Sequence, residues 1–97
     1  MAAYFVAHGT VKDPAKLAQY VERASPYVAA AGGEFIAVGD VKWVLLGEHP
    51  HKRVAVFRFP DATSARAWFD NPAYQALAPL RSEAGDFVFL VFEEYAS

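Results

Sequence analysis

His8, Tyr74 and Arg81 are the residues of this chain whose chemistry asks for an explanation. His8 stands in the apolar run YFVAHGTV, with Tyr4, Val6 and Thr10 on its side of a two-residue alternation. An imidazole titrates near neutral pH and can move a proton as general base or acid. The same ring can also be a structural hydrogen-bonding residue, and the two readings stand level. Arg81 ends the segment PAYQALAPLR. Its planar guanidinium can hold a carboxylate or enolate at two points. Alternatively, it pairs with Glu83 or Asp86, or complements a helix C-terminus. Tyr74 and Trp68 flank Asn71-Pro72 and can line an apolar cavity for a flat ligand, with the Tyr74 hydroxyl as donor. Aromatics at helical spacing also build cores, the reading preferred for Trp68, and Tyr20 has the same two readings.

Two further groups carry weaker signals. Asp40, Lys42 and Trp43 follow Gly39, where a bulge would turn polar groups inward. Polar edge residues that discourage aggregation explain them equally well. The candidate ligand-binding residues are therefore Tyr20, Asp40, Trp43 and Trp68, beside His8, Tyr74 and Arg81 as candidate catalytic ones. His49 and His51 form an HxH beside Glu48, without a strong third metal ligand, and read as a solvated loop with no metal. No glycine-rich phosphate loop, nucleophile elbow or HExxH is present.

These residues need elements to position them. Ala3 to Val11 reads as a strand, and Asp13-Pro14 as a helix start. Leu17, Tyr20, Val21, Ala24 and Val28 then form an amphipathic stripe opposite Lys16, Gln19, Glu22 and Arg23. Pro26 should kink this helix, and Gly32-Gly33 end it. Glu34 to Val38 is the second strand, with Gly39-Asp40 a bulge or bend before Val41 to Leu46 continues it. Gly47 to Lys52 is a hairpin loop, and Arg53 to Phe59 the third strand. Asp61 caps a helix that carries Ala62, Ala65, Trp68 and Phe69 at helical spacing. Asn71 caps a second, short helix that starts on Pro72 and delivers Arg81 to its end. Asp86 to Glu94 is the fourth strand. The order β-α-β-β-α-β is that of the split βαβ, or ferredoxin-like, fold, an α+β class with a four-stranded antiparallel sheet.

Composition bounds the function. The 97 residues make one domain, 1–97, and 55% hydrophobic with 21% charged content argues against disorder. A net charge of −2, with the nine basic residues scattered, argues against a nucleic-acid partner. Without cysteine there is no disulfide or thiolate metal site. No apolar stretch approaches ~18 residues, so no membrane span is expected. The start MAAYFVAHGT is unlike a signal peptide, and a cytoplasmic location is the expectation. Phe87 to Phe92, FVFLVF, is apolar on both faces, as in strands covered on both sides. Two helices cover one face of such a sheet, and a second copy of the chain is the economical cover for the other. A homodimer is expected.

AYFVAHGTVKDP, AAGGEFIAVGD, RVAVFRFPD and AWFDNPAYQALAPLR, in that order, resemble the domain of unknown function 1330 family. That resemblance implies the dimeric α/β-barrel superfamily, whose ferredoxin-like protomers pair face to face through their sheets. The superfamily includes cofactor-free quinone-forming monooxygenases, lactone isomerases, polyketide cyclases and haem enzymes, with a ligand cavity between sheet and helices. Relatives keep Arg at the position of Arg81, which favours a pocket role there. They commonly carry Glu where this chain has Arg58, so no acidic role is carried over. The expectation is a cofactor-independent isomerase, cyclase, lyase or monooxygenase acting on an apolar or aromatic acid. The alternative is a non-catalytic dimer that binds a hydrophobic ligand.

Overall fold

The structure is a computed structural model and describes residues 1–96. Its elements run β1 (Ala3–Val11), α1 (Pro14–Ala30), β2 (Glu34–Asp40), β3 (Arg53–Phe59), α2 (Ala62–Asp70), α3 (Pro72–Gln75), α4 (Ala78–Ala84) and β4 (Gly85–Glu93). The strands form one antiparallel sheet in the order β2-β3-β1-β4, the ferredoxin-like topology. Each βαβ crossover leaves room for one strand between its two ends, so β3 lies between β1 and β2, and β1 between β3 and β4.

Local chemistry sets the helix ends. The Asp13 carboxylate accepts from the N–H groups of Ala15 and Lys16, and Pro14 opens α1 where no donor is needed. Gly32, at φ 86°, ends α1: Gly33 N–H bonds back to Val28 and Gly32 N–H to Ala29. Asp61 caps α2 through Ser64 N–H, and Asn71 caps α3 through Ala73 N–H.

The core lies between the sheet and one helical layer. Tyr20, Ala24 and Val28 from α1 meet Phe5, Phe59, Ala65, Trp68 and Tyr74 there. Phe5 packs against Trp68 at 4.7 Å and edge-on to Phe89 at 4.9 Å between ring centroids. Gly33 is needed at its close approach, since a Cβ there would lie 2.5 Å from Val28 and 2.8 Å from Phe59.

Three local expectations are corrected. Val41 to Leu46 does not continue β2; it belongs to an irregular loop, because the opposing leg holds Pro50 and bonds to β1 instead. The register irregularity of β2 falls between Phe35 and Ala37, and Gly39 pairs regularly with Val54. Pro26 lies inside α1, which runs to Ala30 and is ended by Gly32-Gly33 as expected. The segment after Asn71 is two helices, with Arg81 in the middle of the second. Pro79, lacking an N–H, cannot continue a helix from α3, and the chain turns at Leu77 and restarts.

Candidate active site

Alternation along β1 divides its side chains between two faces, and the helices cover only one. Phe5, Ala7 and Gly9 look toward α1; Tyr4, Val6, His8 and Thr10 look away. Under α1 the small side chains leave a cavity of about 150 Å³. Ala7, Phe57 and Phe89 line it from the sheet, and Leu17, Tyr20 and Val28 from the helix. Trp68 closes one end. Val21, Ser25, Val38 and Arg53 are the exposed lining residues and mark the mouth. The walls are almost wholly apolar, so any polar group among them directs what binds.

Away from Ser25 and Arg53 at the exposed mouth, the buried Tyr20 is such a group. Its hydroxyl lies 2.6 Å from the hydroxyl of Tyr74, and Arg81 Nη1 donates to the Tyr74 oxygen at 2.9 Å. Two phenolic hydrogens share a single oxygen–oxygen contact, and the arginine adds a further donor. One hydroxyl hydrogen therefore has no acceptor among the described residues. Tyr74 is fully buried, whereas Tyr20 lines the cavity. The arrangement that strands no buried donor has Tyr74 donating to Tyr20 and Tyr20 turned to the cavity. Burial, reinforced by Tyr74 alongside, pushes the Tyr20 pKa well above its ordinary value, and the charge of Arg81 opposes this only in part. Tyr20 therefore stays protonated and acts as a donor, not a base.

Arg81 is half-buried between aromatic faces, 5.6–5.8 Å from the ring centroids of Tyr74, Phe89 and Phe69. The two carboxylates the sequence offers it are engaged elsewhere: Glu83 with Lys16 at 2.9 Å and Asp86 with Lys12 at 3.4 Å. Among the described residues no carboxylate pairs with Arg81. The Trp68 indole Nε1 is also buried without a partner among the described residues.

A second, more open hollow of about 440 Å³ lies between α2 and β4, and Phe5, Trp68 and Phe89 separate it from the first. Its one charged side chain, Arg66, is exposed and paired with Asp70 at 2.8 Å. It has no buried polar anchor comparable to Tyr20.

Of the seven residues singled out from sequence, four converge: Tyr20, Trp68, Tyr74 and Arg81. His8 does not. It sits on the opposite sheet face, and the grouping of His8 with Tyr74 and Arg81 in one site is corrected, because an odd–even step along β1 separates it from the cavity. Its Nδ1 lies 2.6 Å from His49 Nε2, while Thr10 Oγ1 meets His51 Nδ1 at 2.9 Å. The HxH is thus folded onto the sheet rather than solvated. Burial, then the nearby His49 and His51, lowers the His8 pKa. Asp40 lies on exposed β2 and reaches Lys52 at 4.0 Å, and Trp43 projects from the loop at 74% exposure; neither lines the cavity. Among the described residues no group of three or more His, Cys, Asp or Glu is placed to hold a metal ion, and no helix is long and apolar enough to cross a membrane. Ala7, Phe57, Phe87 and Phe89 line the site without having been singled out. Their signal is the phase of the strands, the same one that carries Phe5 into the core.

The family model described as Domain of unknown function (DUF1330) matches residues 2–95, and the chain belongs to that family. No curated protein matches the sequence. Among solved structures, a protein of unknown function from Rhodopseudomonas palustris is similar over 99% of this chain and 84% of its own, with 14% identity and a TM-score of 0.77. SnoaB, a cofactor-independent oxygenase from Streptomyces nogalater, is similar over 99% of this chain and 95% of its own, with 16% identity and a TM-score of 0.69. A dimeric ferredoxin-like protein of unknown function from Jannaschia sp. is similar over 97% of this chain and all of its own, with 10% identity and a TM-score of 0.63. These likenesses show the shared fold.

Proposed function

We propose that this chain binds a small apolar molecule carrying an acceptor oxygen, such as an aromatic ketone or enol, in the cavity beneath α1, and converts it without a cofactor. The observation that carries this reading is the chain Arg81–Tyr74–Tyr20, which ends on an apolar cavity. A donor relayed from a fixed cation favours negative charge on a bound oxygen, and such help counts most where water is excluded. Enolisation is the simplest reaction it assists: a proton leaves the carbon beside the carbonyl for solvent at the mouth, and the charge gathers on the oxygen held by Tyr20. Isomerisation, cyclisation and cofactor-free oxygenation all pass through such an anion. That SnoaB, a protein of this fold, is a cofactor-independent oxygenase agrees with this reading.

A second reading, a non-catalytic binder, is favoured by the lack of a lining group that accepts a proton near neutral pH once His8 is placed on the other face. Deuterium exchange at the activated methylene of 2-tetralone, followed by NMR, separates the two. Exchange that is faster with the protein, and lost in Tyr20→Phe, supports catalysis. Binding without faster exchange supports the binder.

The proposed assembly is a homodimer through the open sheet face. Tyr4, Val6, Val56, Val88, Leu90 and Phe92 share that face by register, and among the described residues no element covers its centre.

A further inference from the structure

We propose that the loop from Val41 to Lys52 is a clasp for a second copy of this chain, held on the open sheet face by His8 and Thr10, and released when its histidines gain protons. This rests on the homodimer reading above and adds to it the part that grips and the condition that loosens it.

The loop is closed at its base by Val41 N–H to the Lys52 carbonyl at 2.6 Å. Its returning leg crosses β3 to reach β1, where His49 meets His8 and His51 meets Thr10. Its outgoing leg leaves Trp43, Leu45 and Leu46 at 74%, 91% and 96% exposure. Three large apolar side chains in one short run, on a loop anchored to an uncovered apolar face, are matched to a partner seated on that face.

Area supports the same partner. Four strands about 4.8 Å apart and some eight residues long at about 3.3 Å each offer about 500 Å² per protomer, or about 1,000 Å² for a pair. That falls just short of what a stable specific interface needs, about 1,200–2,000 Å² in total. Trp43 alone adds about 150–250 Å² per protomer if it packs on the partner. The clasp therefore brings the pair into the range of a stable dimer.

The anchor is sensitive to protons by its geometry. His8 Nδ1 and His49 Nε2 are both ring nitrogens, so their contact needs one to donate and the other to accept. The pair can share one extra proton, but a second leaves two donors facing each other. Val54 of β3 and Val88 of β4 flank His8 in register and offer no charge to absorb it, and His51 lies beyond His49. Of the charged groups of this face, Asp86, paired with Lys12, stands opposite Thr10 at one end, the next same-face pair along from His8, and Arg58, Glu34 and Glu94 lie toward the other. The lowered pKa of His8 agrees, because a group more easily deprotonated when folded loses its contribution as pH falls below about 6.5.

Sedimentation velocity at micromolar concentration and two pH values tests this, with circular dichroism to confirm that the chain stays folded. The expected result is a dimer at about pH 7.5 whose dissociation constant rises at least about tenfold at about pH 5.5, since one further proton per protomer, two per dimer, gives up to about a hundredfold per pH unit below the histidine pKa. His8→Gln/His49→Gln/His51→Gln, which keeps hydrogen-bonding groups without titration, should remove most of that dependence. Trp43→Ser/Leu45→Ser should weaken the dimer at both pH values and leave the monomer folded. A dimer whose affinity does not move with pH, or moves equally in the triple variant, overturns the histidine latch while leaving the homodimer standing. Unchanged affinity in Trp43→Ser/Leu45→Ser overturns the clasp. A monomer under all conditions overturns both the clasp and the homodimer.

Discussion

Tyr20 and Tyr74, 54 positions apart in the chain, place their hydroxyl oxygens 2.6 Å from one another, and Arg81 donates to the second of them at 2.9 Å. The two phenols are thus unequal in role. Tyr74 accepts from the cation and is sealed in the core, while Tyr20 is among the residues that line the cavity.

The inequality has consequences for stability. Tyr74→Phe removes the acceptor of Arg81 and the partner of Tyr20, and should cost about 1–3 kcal/mol, the range for stranding buried polar groups. Tyr20→Phe leaves the Arg81 bond in place and should cost less. Because both variants disturb one network, the double variant should cost less than the two singles together. Urea denaturation of the three variants measures this, and strict additivity would contradict a coupled pair.

Arg81→Lys should lower affinity for an oxygen-bearing ligand with only a small loss of stability. An ammonium neither stacks over Phe69, Tyr74 and Phe89 as the flat guanidinium does nor keeps its fixed donor geometry. No ion pair is broken by the change, which keeps the stability cost low. Thermal unfolding with and without 2-tetralone separates the two effects. A large stability loss with unchanged ligand response would make Arg81 a structural residue.

Trp68→Phe should be unusually mild for a core Trp. The indole Nε1 is buried without a partner among the described residues, and removing it relieves part of the cost of the lost volume. A loss under about 1.5 kcal/mol is expected, against the ~3–5 kcal/mol typical of truncating a core Trp to Ala. A larger loss would mean that the Nε1–H has a partner.

Gly33→Ala should destabilise by about 1–3 kcal/mol, because its Cβ meets Val28 and Phe59 at the seam between α1 and β2. A neutral result in chemical denaturation would show that this seam can open.

Much of the frame was legible because local signals agree with the fold. Asp13, Asp61 and Asn71 are read as caps and are caps, and the three- and four-residue spacing of Tyr20, Ala24 and Val28 marks the buried side of α1. β3 is bounded as read, at Arg53 and Phe59. The site was harder to read. Alternation groups His8 with Tyr4, Val6 and Thr10, but when both faces of a strand are apolar it cannot say which face meets the helices. Ala7 and Gly9, too small to fill a core alone, were the missed indication that the cavity lies on their side. The apolar run Val41 to Leu46 has the composition of a strand yet finds no neighbour to pair with, and pairing is a long-range matter that composition does not carry. The meeting of His8 with His49 is equally long-range, 41 residues apart.

The central claim, that Tyr20 presents a donor to an oxygen in an apolar cavity, is tested most directly by a matched pair of ligands. 2-Tetralone and tetralin share a ring system and differ at the carbonyl. By titration calorimetry, wild-type protein should prefer the ketone by about tenfold, the worth of about one good hydrogen bond. Tyr20→Phe should bind the two alike, with tetralin affinity little changed. A Tyr20→Phe variant that keeps the wild-type preference for the ketone would contradict the account.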